Sequence, residues 1–304
     1  MKQNYFLLFV FIETNISLIF FIKNITNFLL IYYILLKMSA FNLDFSNSKN
    51  RVIRASAKIK QYSIVMEAKS LFHTVLMKNS QNFCENCLSN TKIRLKCGGC
   101  EQISYCNSEC QKSDWIDTHK ITCKIYKMLK LKGFTPTSFF KLLLKIGLSE
   151  NKERLRFLDD FQDNSSDFER SKIDFIEETC KMIEVYANMQ KIKLKLSYED
   201  LVKLGCKIQI NSFTIQQPVS GSEIGIGLFH PANFINHCCE PNAIQIFVGC
   251  NLRIVSIREI KENEEINICY TERREGCRRF LKDNYFFTCE CGFCQEKVEN
   301  FECK

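Results

Sequence analysis

Between residues 84 and 123 the chain carries eight zinc-type donors in the order Cys84, Cys87, Cys97, Cys100, Cys106, Cys110, His119 and Cys123, with two, nine, two, five, three, eight and three residues between them. No other feature restricts the fold so strongly. The spacing makes four close pairs, each able to give two donors to one tetrahedral ion, which predicts two zinc ions. A segment of about 40 residues cannot bury enough apolar surface to fold alone, so metal coordination must supply much of its folding free energy. The competing reading is a disulfide knot, and a histidine in the last pair argues against it.

Cysteine usage elsewhere points the same way. Of the 18 cysteines, eleven fall in metal-spaced groups once the C-terminal cluster below is counted, leaving Cys180, Cys206, Cys238, Cys250, Cys269, Cys277 and Cys303 without paired spacing. Secretion would oxidise such thiols, so cytoplasm or nucleus is the expected compartment. The formal charge is +8, but lysines and glutamates interleave along the sequence, which permits nucleic-acid contact without indicating it.

Residues 1–37 are rich in Phe, Ile and Leu yet broken by Glu13, Asn15, Lys23, Asn24 and Asn27. No uninterrupted run reaches the roughly 20 apolar residues of a clean membrane span. Two readings stand: an anchor tethering the rest of the protein to a membrane, or a segment upstream of a true start at Met38. The second is favoured because every recognisable motif follows Met38.

From there the pattern is of a β fold split in two. Short β-branched and aromatic runs over residues 51–78 predict two or three strands. The metal segment follows without a linker. Residues 113–131 have helical spacing that sets His119 and Cys123 on one face, and helical patterns continue over 139–147 and 152–193. Strand patterns return only after about residue 206. The expected organisation is 1–37 apolar leader, 45–82 first part of the β fold, 84–123 zinc module, 124–200 helical insert, 201–274 core β fold and 275–304 metal-bound tail. The fold class is α+β.

A second constellation lies in the returning half. Gly225 and Gly227 by themselves suggest no more than a tight turn. The heptad Asn236-His237-Cys238-Cys239-Glu240-Pro241-Asn242 makes a poor strand or helix but a good rigid loop with backbone groups facing a ligand. Downstream come Glu264 and Glu265, read as a solvated turn before a strand, then Tyr270, then Tyr285, Phe287 and the thiols Cys289, Cys291 and Cys294. A tetrahedral structural site needs a fourth donor, and Cys239 is the choice, clamping the tail over the Asn-His loop. His73 and His230 belong to no constellation.

With these motifs in order, the chain resembles the SET-and-MYND (SMYD) protein lysine methyltransferases from about Lys49 to Cys294. The metal segment is similar to a MYND finger. The heptad is similar to the SET signature Asn-His-Ser-Cys-x-Pro-Asn, with Cys238 in place of serine, and the tail is similar to the post-SET zinc motif. The resemblance implies interleaved MYND sites: Cys84, Cys87, Cys106 and Cys110 on one ion; Cys97, Cys100, His119 and Cys123 on the other. It implies S-adenosylmethionine as cofactor, three zinc ions, and a protein lysine as substrate, with the MYND module a possible grip on proline-containing peptides. Tyr270, Tyr285 and Phe213 would line the lysine channel, Tyr270 orienting the amine. Lys49, Arg51, Asn233, Asn236, His237 and Phe287 would hold the cofactor, Phe287 against adenine.

Two departures stand out. The family usually has glycines where this chain has Asn50 and Val52, and a β-branched valine adopts positive φ badly, so a shifted loop or weaker cofactor affinity is expected. Relatives often continue into a C-terminal helical domain. The chain stops at Lys304, which implies a more open substrate groove or a truncated gene model. The alternative function is a degenerate SET scaffold acting through MYND-mediated protein contacts.

Overall fold

The computed structural model describes residues 41–46, 50–90, 95–271 and 277–295. The leader over 1–37 and Lys49 lie outside them. Within the described residues no helix is long and apolar enough to cross a membrane.

The first described elements are β1 (Phe41–Ser46) and β2 (Asn50–Ala55), which pair antiparallel. β3 (Ile64–Lys69) and β4 (Phe72–Val75) follow, completing the three strands at the upper end of the expected two or three. Next come the short ribbon β5 (Leu95–Lys96) with β6 (Ser104–Tyr105), α1 (Ser108–Asp114), a π-helical turn at Trp115–His119 and α2 (Lys120–Leu131). Helices α3 (Ser138–Gly147), α4 (Lys152–Arg156), α5 (Arg170–Met189) and α6 (Tyr198–Asn211) form the insert. The β fold resumes with β7 (Phe213–Gln216), β8 (Glu223–Leu228), β9 (Asn236–His237), β10 (Ala243–Val248), β11 (Asn251–Ser256) and β12 (Asn267–Ile268), and α7 (Cys277–Tyr285) leads to the tail.

Pairing shows how the two halves rejoin. β3 completes a sheet of order β10-β11-β3, and β4 one of order β4-β8-β7, so strands from before the insertion are closed by strands more than 140 residues later. Gly225 and Gly227 are not a turn. They lie in β8, where a Cβ on Gly225 would stand 2.6 Å from the Thr74 carbonyl oxygen and one on Gly227 3.0 Å from that of Phe72. Their role is close approach of β8 to β4. Helix α6 runs to Asn211, past the residue at which strand patterns were expected to return, because its Leu201, Leu204, Cys206 and Ile208 bury against the other insert helices.

Along α2 the charged residues are sorted onto one face. Ile125, Tyr126 and Leu129 are buried, whereas Lys120, Lys124, Lys127 and Lys130 all point to solvent. Helical periodicity sorts the lysines that the linear sequence disperses.

Helix α3 is buried on every side, lysines included. Lys141 donates to Glu85 Oε2 and to the Val75 carbonyl oxygen, each at 2.9 Å, while Lys145 lies 3.1 Å from Asp114 Oδ1. The Tyr105 hydroxyl donates to Asp114 at 2.7 Å and the Thr74 hydroxyl to Glu85 at 2.6 Å. Burial alone would push the Glu85 carboxyl up, but Lys141 and Lys145 outweigh it and hold it below the usual carboxylate range. The network joins the metal segment, β4 and the insert.

Candidate active site and metal centres

Three groups of four donors bring their ligand atoms within 4.8 Å of one another: Cys84, Cys87, Cys106 and Cys110; Cys97, Cys100, His119 and Cys123; Cys239, Cys289, Cys291 and Cys294. A zinc ion with bonds of about 2.3 Å to sulfur sets its ligands roughly 3.8 Å apart. Here Cys87–Cys106 is 3.6 Å, Cys97–Cys123 3.6 Å, Cys100–His119 3.7 Å and Cys239–Cys289 3.9 Å. The donor chemistry and the spacing fit three zinc ions. His119 is turned to Cys100 by the π-helical turn that it closes, and Thr122 lies 3.4 Å from its other ring nitrogen.

The third group fixes the tail beside the Asn-His turn. β9 pairs in parallel with β12, Asn236 opposite Asn267 and His237 opposite Ile268. Buried Asn242 ties the two together, accepting from the Asn267 amide at 2.8 Å and donating to the Glu265 carbonyl oxygen at 2.7 Å. His237 accepts from the Tyr270 amide at 3.0 Å through Nδ1, and its Nε2 lies 3.2 Å from Cys239 Sγ. With both nitrogens engaged, and burial lowering its pKa to about 4, this imidazole is a neutral brace for the turn.

Tyr270 collects the aromatic groups. Its ring centroid lies 4.9 Å from Tyr285, 5.3 Å from His237 and 6.4 Å from Phe287, and its hydroxyl donates to the Ile235 carbonyl oxygen at 2.5 Å. Burial, the Tyr285 phenol and Glu265 together push its pKa well up, so it stays a protonated donor at neutral pH.

Two cavities adjoin here. One, of about 840 Å³, is lined by Arg51, Val52, Asn236, His237, Glu265 and Phe287 among others. The other, of about 610 Å³, is lined by Phe213, Thr214, Gln216, Gln245 and Phe280 among others. Ile210, Asn211, Asn233, Tyr270 and Tyr285 stand in the wall of both. Phe213 sits in an aromatic group with Phe229 at 5.8 Å and Phe247 at 6.3 Å. Asn233 is committed to the scaffold, accepting from the Phe229 amide at 2.6 Å and donating to the Asn211 carbonyl oxygen. Arg51 lies over the Phe234 ring at 4.7 Å.

Two sequence expectations change. Asn50 and Val52 lie in strand β2 with no positive φ, so the chain needs no glycine there and valine suits an extended backbone. Glu265 is no solvated turn residue: it accepts from Asn236 Nδ2 at 2.8 Å and lines the larger cavity. Its neighbour Glu264 faces the surface, bonded to Arg258 at 2.6 Å. Gln162, Asn164 and Asp167 of the insert also line that cavity, and no local pattern marked them.

A finger with two four-donor groups, set into a split β fold whose tail site abuts an Asn-His turn, defines a SET-and-MYND architecture. The family description "MYND finger" matches residues 84–123. Human SMYD3, a histone-lysine N-methyltransferase, is 27% identical over 257 residues, covering 80% of this chain and 58% of the relative. Human SMYD2, an N-lysine methyltransferase, is 28% identical over 266 residues, covering 83% and 59%. The chain is similar to these SET-and-MYND proteins over most of its own length and spans less than two thirds of theirs. A crystal structure of the SET domain of LSMT bound to lysine and AdoHcy superposes with a TM-score of 0.46 at 8% identity, covering 88% of this chain and 58% of that one.

Proposed function

We propose that the protein is an S-adenosylmethionine-dependent protein-lysine N-methyltransferase. The observation that carries this is the meeting of two cavities at Tyr270 and Tyr285, one with charged and aromatic walls, the other bordered by Phe213 and open polar residues. The larger is of a size to hold a nucleoside-bearing cofactor. Arg51 and Glu265 complement a zwitterionic amino-acid arm, and Phe287 offers a ring for a base. When bound, the cofactor supplies an electrophilic sulfonium methyl group.

This chain's own part is positioning and desolvation. Tyr270, Tyr285 and Phe213 strip water from a lysine side chain entering through the smaller cavity, which disfavours its ammonium form. The lysine proton leaves to solvent, and no side-chain base is assigned. Tyr270, held by Ile235, orients the amine. His237 braces the turn, and Asn236 and Arg51 hold the amino-acid arm. Lys49 is assigned beside them by resemblance alone.

The substrate is a protein lysine, histone or other. The finger is assigned a docking role for proline-containing segments, with Ile116 82% exposed on it. Cytoplasm and nucleus are the assigned compartments.

The test is calorimetric titration of the full chain with S-adenosylhomocysteine, followed by labelled-methyl transfer to a degenerate lysine-peptide library. Micromolar binding and labelled lysine are expected. No heat at millimolar ligand would leave only the scaffold function.

A further inference from the structure

We infer that Cys238 and Cys291 form a peroxide-sensitive modification site, whose oxidation to a disulfide takes one of the four ligands from the tail metal group. The pairing is independent of the methyltransferase reading.

The tail group needs four donors and has five thiols beside it. Cys239, Cys289, Cys291 and Cys294 bring their sulfur atoms within 4.8 Å of one another, which completes a tetrahedral set. Cys238, standing where the SET signature has serine, is the surplus thiol. Its sulfur donates to the Glu240 carbonyl oxygen at 3.2 Å and accepts from the Glu240 amide at 3.4 Å, so the turn fixes it in place. There it interacts with the Cys291 thiol. A serine makes the same kind of turn bonds but no disulfide.

Access separates the five. Cys239, Cys289 and Cys294 are buried, whereas Cys238 and Cys291 are half-buried. Both of the latter stand in the wall of the larger cavity. A small oxidant in that cavity therefore reaches the one accessible ligand that has a surplus thiol against it.

A zinc ligand is a thiolate, the form that peroxide oxidises. The Cys291 sulfur attacks the O–O bond and becomes a sulfenic acid as hydroxide leaves. Cys238 then attacks that sulfur: the S–S bond forms, the S–O bond breaks, and the departing hydroxide takes the thiol proton as water. Two electrons pass from the thiols to peroxide. The disulfide offers no thiolate, so three ligands remain and the tail group loses its hold on zinc.

The test treats the full zinc-loaded chain with hydrogen peroxide, reads released zinc with a chromogenic chelator, and maps disulfides by mass spectrometry of alkylated peptides. One zinc ion per chain should leave first, in step with a peptide cross-linked through Cys238 and Cys291, and a dithiol reductant with added zinc should restore the starting content. Cys238→Ser should retain the full metal content before oxidation and slow that first release by about tenfold, because no second thiol stands beside Cys291 to trap the sulfenic acid. Equal release from wild type and variant overturns the inference. So does a first zinc lost from wild type with no Cys238–Cys291 cross-link, a result that stands even if the variant fails to fold. Wild-type protein that keeps all its zinc while Cys238 itself is oxidised overturns it as well.

Discussion

Lys141 and Glu85 face each other at 2.9 Å with 0% and 6% of their side chains exposed, one on an insert helix and the other between two ligands of the first metal group. The pair welds finger to insert. Removing Lys141 would leave the buried Glu85 carboxylate with only Lys145, 4.0 Å away, as a countercharge.

That weld gives the first prediction. Lys141→Met should lower stability by about 3–5 kcal/mol, and adding Glu85→Gln should restore part of it, as read by thermal unfolding. The exposed pair Lys58–Glu259, with side chains 64% and 52% exposed, provides the control, and Lys58→Ala should change stability by less than about 1 kcal/mol. If Lys141→Met melts with the parent, the buried pair contributes nothing to holding the finger.

Metal content is the second. Native mass spectrometry should find three zinc ions per chain, matching the three donor groups. Cys239→Ser should reduce the count to two and weaken S-adenosylhomocysteine binding, because the tail would no longer be clamped beside His237 and Tyr270. A native count of two would remove the tail clamp, and unchanged binding in the variant would separate it from the cavity.

Tyr270 provides the third. Tyr270→Phe removes the hydroxyl bonded to the Ile235 carbonyl oxygen but keeps the ring against Tyr285. Turnover should fall on the order of 10²-fold, with cofactor affinity nearly intact. Equal turnover would take this hydroxyl out of the mechanism.

Val52→Gly is the fourth. The glycine that the family resemblance led one to expect here should not improve cofactor affinity, because Val52 is 6% exposed in a regular strand. Lost burial and added chain entropy should cost about 2–4 kcal/mol in denaturant unfolding. A gain in affinity would mean that the strand leaves its place when ligand binds.

The metal-ligand pairs were legible because each is a local device: two donors with two or three residues between them reach one ion whatever the rest of the chain does. The break in strand patterning was legible for a similar reason, since the period of apolar residues changes where helices interrupt strands. The glycines of β8 were misread because their need arises across the sheet, at the carbonyls of Thr74 and Phe72. Glu265 was misread alongside Glu264 because two adjacent carboxylates look alike until the fold gives them different partners, Arg258 for Glu264 and Asn236 for Glu265.

By itself, then, the order of residues determined the donors, the alternation of strand and helix, and the motifs that carry the likeness to a family. Only the tertiary structure decided that Asn236 would stand between Arg51 and Glu265, that two lysines of α3 would be buried against the finger, and that two cavities would share Tyr270 and Tyr285. Those arrangements join residues up to 214 positions apart, as Arg51 and Glu265 are, and long-range proximity is set by how whole elements pack and close their hydrogen bonds. No local spacing encodes it.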